Sequence, residues 1–122
     1  MTAENALHTF FSGFGIPAYE RCRVPVGAEL PYLTYDVKLA SFGDQPVGLT
    51  VELWYRTEDN SVPNAKARQL GAAVGRGGVL LPCDGGGIWL KKGEPFCQSI
   101  SDPTDARLNR RYINITAEYI TE

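Results

Sequence analysis

The chain is poor in the residues on which metal and acid–base chemistry usually rests: its 122 residues include one histidine, three cysteines and one methionine. Cys22, Cys83 and Cys97 are odd in number and widely spaced, with no Cys-x-x-Cys pair. That spacing argues against a disulfide framework and a closed zinc site, and for three plain thiols. Long apolar runs are also missing, and none approaches the ~20 residues that span a bilayer as a helix. The first residues lack the basic start and uninterrupted apolar segment of a secretion signal, so synthesis in a reducing cytoplasm is expected. Charge of one sign is scarce. A formal net charge of -2 argues against bulk electrostatic capture of nucleic acid or anionic lipid, though not against a local basic patch.

What remains is ordinary globular material. Apolar and charged fractions of 43% and 21% argue against a disordered or fibrous chain. The length suits one domain, residues 1–122.

The clearest pattern runs through residues 47–57, where Leu49, Val51, Leu53 and Tyr55 alternate with Thr50, Glu52, Trp54 and Arg56. This is the period of a strand with one buried face. Glu58-Asp59-Asn60-Ser61 then supplies helix-capping residues, and Pro63 suits a first helical turn. The helix it opens is expected to reach Val74, with Ala67, Leu70, Ala73 and Val74 inward and Gly75 as its stop. Residues 3–14 predict another amphipathic helix, with Ala3, Ala6, Leu7, Phe10, Phe11 and Phe14 on its apolar stripe and Gly15 ending it.

Alternation recurs at residues 32–39 and 112–120, and a short edge strand is expected near residues 19–24. Val79-Leu80-Leu81 and Ile88-Trp89-Leu90 flank a Gly-rich tip and predict a β-hairpin, with a further strand at residues 95–100 and a turn at 101–105. The fold class that accommodates all of this is α+β: a mainly antiparallel sheet packed on one face by two helices, plus a hairpin. Which sheet face lies inward stays open, because both contain aromatics.

The candidate motifs for chemistry are thin. Gly75-Arg76-Gly77-Gly78 follows a helix rather than opening one, so it forms no N-terminal phosphate cradle. Asp84-Gly85-Gly86-Gly87 lacks the lysine and hydroxyl residue of a nucleotide-binding loop. His8 has no serine, cysteine or aspartate placed beside it as a partner, and nothing marks Cys83 or Cys97 as a low-pKa nucleophile. Asn114-Ile115-Thr116 matches a glycosylation pattern but lies inside an expected strand. The expectation is a protein that is no enzyme and has no cofactor or metal.

Surface recognition is better supported. The polar sheet face includes Tyr32, Asp36, Lys38, Glu52, Trp54, Arg56 and Glu118, a composition that fits either partial cover by a loop or a protein interface. Arg107, Arg110 and Arg111 follow Asp102 and Asp105, as a solvated turn or as a contact for protein or DNA. The loop of residues 40–46 is longer than a tight hairpin needs and is a candidate contact.

Taken in order, the N-terminal helix, Val51-Glu52-Leu53-Trp54-Tyr55-Arg56-Thr57, the alanine-rich helix, Leu80-Leu81-Pro82-Cys83-Asp84-Gly85-Gly86-Gly87-Ile88-Trp89-Leu90, Pro95-Phe96-Cys97-Gln98 and Arg110-Arg111-Tyr112-Ile113-Asn114-Ile115-Thr116-Ala117-Glu118-Tyr119 resemble small tail-terminator or minor tail proteins of long-tailed phages and prophages. The resemblance covers nearly the whole chain, and its motifs are structural. It implies a virion protein of the tail, made in the bacterial cytoplasm, that forms a homo-oligomeric ring, commonly a hexamer. Such a ring caps the tail tube, stops its polymerisation and docks the head–tail connector, with DNA able to pass through it. Interface positions under that reading are Trp54 and Arg56 on the sheet, Phe42 and Asp44 in the long loop, Asp84 at the hairpin tip, and Arg110 and Arg111. The alternatives are a head-completion (stopper or neck) protein and a small nucleic-acid-binding module using the arginines.

Overall fold

Val47–Arg56 forms β3, and its period sets the rest of the architecture. Leu49, Val51, Leu53 and Tyr55 are all buried on one side, while Thr50 and Trp54 are half-exposed on the other. The computed structural model describes residues 1–121. Around β3 lie β1 (Ala18–Glu20), β2 (Tyr32–Tyr35), β4 (Val79–Cys83), β5 (Gly86–Asp102) and β6 (Asp105–Ile120). They make one six-stranded sheet in the order β1-β2-β3-β6-β5-β4. Only β1 and β2 pair in parallel; the other neighbours are antiparallel.

Two helices, α1 (Ala3–Phe11) and α2 (Ser61–Val74), cover one face, so the α+β expectation holds. Thr2 caps α1 by accepting a hydrogen bond from the Asn5 amide at 3.1 Å. A 3-10 turn over Ser12–Phe14 follows, and Gly15 ends it at a φ of 82°, which only glycine adopts at no steric cost. Leu7, Phe11, Leu70 and Val74 from the helices meet Leu33, Leu53, Ile88, Leu90, Ile113 and Ile115 from the sheet in one core. Each such side chain is worth about 1.5–3 kcal/mol in transfer from water.

Several local expectations change. The inward face of α2 is Pro63, Ala67, Leu70, Gly71 and Val74, and Ala73 is exposed. Pairing in β2 stops at Tyr35, where the Asp36 side chain accepts the Thr50 amide, and Leu39 is left 64% exposed. β1 is confined to Ala18–Glu20. The largest difference is at the C-terminal end. Residues 86–102 form one strand, with a register shift between Lys92 and Cys97 that absorbs Pro95 and a second at Ser101–Asp102. The turn narrows to residues 103–104 and the partner strand begins at Asp105 rather than Tyr112, so Arg107, Arg110 and Arg111 lie on a strand. At the other hairpin, Gly86 is obligatory: a Cβ there would sit 1.7 Å from the Ile120 carbonyl oxygen.

Candidate interaction surface

No helix covers the second face of the sheet, and the register brings its side chains into cross-strand rows. Tyr32, Trp54, Arg110 and Ile100 are direct neighbours across β2, β3, β6 and β5. Thr34, Glu52, Tyr112 and Gln98 form the adjacent row. Cross-strand neighbours of this kind are the pairs that interact on a sheet.

The centre of these rows is a tightly organised cluster. The Arg110 guanidinium stacks over the Trp54 ring at 4.0 Å and donates to Glu52 Oε2 at 2.6 Å. Trp54 Nε1 donates to Thr34 Oγ1 at 3.1 Å, so the indole is held at both face and edge. Tyr32 lies 6.1 Å from Trp54, and Tyr19 meets Tyr32 edge-on at 5.5 Å. Glu52 is almost wholly buried by these neighbours, whereas Arg110 Nε is buried without an acceptor. A buried carboxylate needs its cation, and an arginine stacked on tryptophan is a common interface anchor. Arg56 extends the cluster, bonding Asp105 Oδ2 at 2.6 Å from a position open to solvent. Arg21 and Asp36 close the other side at 3.5 Å, and the guanidinium pKa is raised chiefly by that carboxylate.

A second patch lies at the far end of the same face, ten residues along β6, or roughly 30 Å at strand rise. Phe42, Leu80 and Ile120 are 76%, 56% and 39% exposed. Phe42, Trp89 and Ile120 line a cleft of about 390 Å3 with Asp44. The loop that presents Phe42 is pinned at several points. Its amide donates to the Thr121 carbonyl at 2.8 Å, Asp44 Oδ2 accepts the Ser41 amide at 2.8 Å, and the Tyr119 hydroxyl donates to the Lys38 carbonyl.

The remaining sequence candidates fall elsewhere. Asp84 sits at the β4–β5 tip with its carboxylate on the Met1 ammonium at 2.7 Å, beside α1 rather than on the open face. Arg111 is only 2% exposed and points to the helix-covered side. There it donates to Asn64, Asn109 and Asn60 side chains and to the Arg110 carbonyl. Alternation along β6 therefore sends Arg110 and Arg111 to opposite faces, and the basic run makes no single cationic patch.

Sequence reasoning missed Tyr19, Thr34, Tyr112, Leu80 and Ile120. The signal for the first three was the pairing of Tyr32 with Trp54, which could have been read only with the register in hand. It also missed that Ser12 stands one turn from His8. Their side chains approach at 3.3 Å, and His8 Nδ1 shares a hydrogen bond with the Tyr35 hydroxyl at 2.8 Å. Burial raises the Tyr35 pKa, so this third member is a neutral phenol and cannot stabilise an imidazolium as a carboxylate does. Burial likewise pushes up the Cys83 and Cys97 thiols, the reverse of nucleophile activation. Among the described residues, no three histidine, cysteine or carboxylate side chains come together as a metal site, and no helix is long and apolar enough to cross a membrane. No family model, curated protein or solved structure matches this chain.

Proposed function

We propose that the chain is a virion structural protein, a tail terminator whose copies close into a ring on the end of a phage tail tube. The observation that supports this reading is the uncovered sheet face with two different contact patches at its two ends. A ring is built head to tail, so each copy must present two unlike surfaces that fit one another. The Trp54–Arg110 cluster and the Phe42–Ile120 patch are unlike in this sense. One is aromatic and charge-paired; the other is apolar.

In this mechanism the helices and core supply a rigid plate, and the work is binding rather than reaction. Self-association covers Trp54, Tyr32 and Phe42, and the ring rim blocks addition of further tube subunits while offering a platform to the head connector. Preformed anchors suit such a role because little side-chain freedom is lost on docking.

The test is electron microscopy of lysates from a parent phage or prophage lacking the gene. Overlong, headless tail tubes are the expected result. Normal tails beside empty or leaking heads would instead make the protein a head-completion component, and intact virions would dispose of both assignments. Salt-sensitive binding of DNA by the purified chain would favour the nucleic-acid module, and flat binding at low salt would remove it.

A further inference from the structure

A groove lies on the helix-covered side of the sheet, beside the outer edge of β5. β4 pairs with β5 only as far as Leu90, so the edge of β5 beyond that point has no strand beside it. The groove, of about 570 Å3, runs between this edge and α2. Phe96 forms its floor and lies so close to the helix that a Cβ on Gly71 would come within 3.2 Å of the ring. Arg68, Arg76 and Lys92 line the groove, which includes no carboxylate. None of the three is in a salt bridge among the described residues. Lys92 is held over the Phe96 ring with its ammonium 5.3 Å from the centroid.

The first part of this edge is blunted in the usual ways, by Lys91, Lys92, Glu94, Pro95 and the register shift, whereas its Cys97–Ile100 stretch has no charge. Backbone donors and acceptors thus stand beside unneutralised cations and an aromatic floor. An added strand satisfies all three together.

We propose that this groove takes an extended acidic segment of a partner protein, which pairs its backbone with Cys97–Ile100 and sets carboxylates against Arg68, Arg76 and Lys92. A phosphate backbone would satisfy the cations but neither the strand edge nor Phe96. A second copy of this chain is a poor occupant, because its closely spaced acidic residues flank tight turns and form no free extended segment. Asp59 is locked to Ser61 and Asp102 to Thr104 within their own turns. The proposal is separable from the ring: the strand would use the backbone of Gln98 and Ile100, whose side chains end the open-face rows, but neither the Trp54–Arg110 cluster nor the Phe42–Ile120 patch.

The test uses the full chain and a fluorescein-labelled peptide of alternating glutamate and valine, read by anisotropy and by amide exchange. Binding that protects the amides of Gln98 to Ile100 is expected. The exposed-site variant Arg68→Glu/Arg76→Glu, checked for native circular dichroism, should lose affinity by about tenfold or more. A peptide N-methylated at alternate residues should bind far more weakly, because it cannot pair as a strand. Absence of binding, or equal affinity for the charge-reversed variant or for the methylated peptide, overturns the proposal. So does a duplex oligonucleotide that displaces the peptide at lower concentration. Loss of self-association in the charge-reversed variant, measured by sedimentation, would assign the groove to a second copy and overturn it equally. Because the ring reading is tested by tail length in lysates, failure of one leaves the other standing.

Discussion

The two faces of the sheet are made by the same strands but are held by different forces. On the covered face, Leu53, Val51, Ile113 and Leu90 are wholly buried and contribute through area and close packing. On the open face, Thr34, Glu52, Trp54 and Arg110 are joined by directional contacts between 2.6 and 4.0 Å. A packed apolar face tolerates no missing volume. A polar face with a buried carboxylate tolerates no missing partner. The first makes the plate rigid; the second gives it a surface that another protein can recognise.

The sharpest way to break the distinction is to remove volume beneath β3. Leu53→Ala should cost about 3–4 kcal/mol in a urea titration, since the buried site cannot collapse fully around the cavity. A loss below 1 kcal/mol would mean that the covered face is loosely packed. Arg110→Ala comes next, at about 3 kcal/mol, because it strands Glu52 in a nearly dry position. Glu52→Leu combined with Arg110→Met should return most of that loss, as buried pairs often do when replaced together. An additive double variant would show that Arg110 acts through Trp54 alone.

Trp54→Ala sharpens the comparison from the other side. The indole is half-exposed, so the monomer should lose only about 1 kcal/mol from the broken cation–π and hydrogen-bond contacts. Self-association, read by sedimentation velocity, should weaken much more than folding does. An unfolded Trp54 variant would place that residue in the structural core and leave the ring reading without its anchor.

The layout of the molecule was legible where the period was long and unbroken. β3, the C-terminal half of β6 and both helices follow directly from apolar spacing, and that spacing suffices for an α+β sheet with one covered face. Places where a local signal competed with tertiary pairing were not legible. Pro95 and Gly93 punctuate β5 and read as a break, yet β6 supplies a continuous partner and the strand bulges around them. Leu39 had the right parity for burial, but the chain leaves the sheet at Asp36. Of the candidate site, Trp54, Arg56, Phe42 and Asp44 could be named from composition. The separation of Arg110 from Arg111 could not be recognised with the last strand expected to start only at Tyr112, because opposite faces follow only from a strand.

The smallest expected effect concerns the tip of the β5–β6 hairpin, where Arg56 reaches from the open face to Asp105. The Asp105 carboxyl is held below its ordinary pKa first by the Arg56 hydrogen bond and then by the Arg107 amide. Asp102 is also held low, but by the Thr104 hydroxyl and amide. A depressed carboxyl contributes stability that is present above its unfolded pKa and lost as pH falls through the folded one, so both contributions vanish only on acidification below the usual aspartate range. Both groups are partly open to solvent, and the effect on global stability should be slight. Carboxyl titration by NMR separates the two causes. Arg56→Gln should move the Asp105 midpoint upward and leave that of Asp102 in place. Equal movement of both would mean that the tip opens as one unit when Arg56 is lost, and no movement would mean that the arginine does not reach Asp105 in solution. Either outcome would detach the hairpin tip from the open-face network.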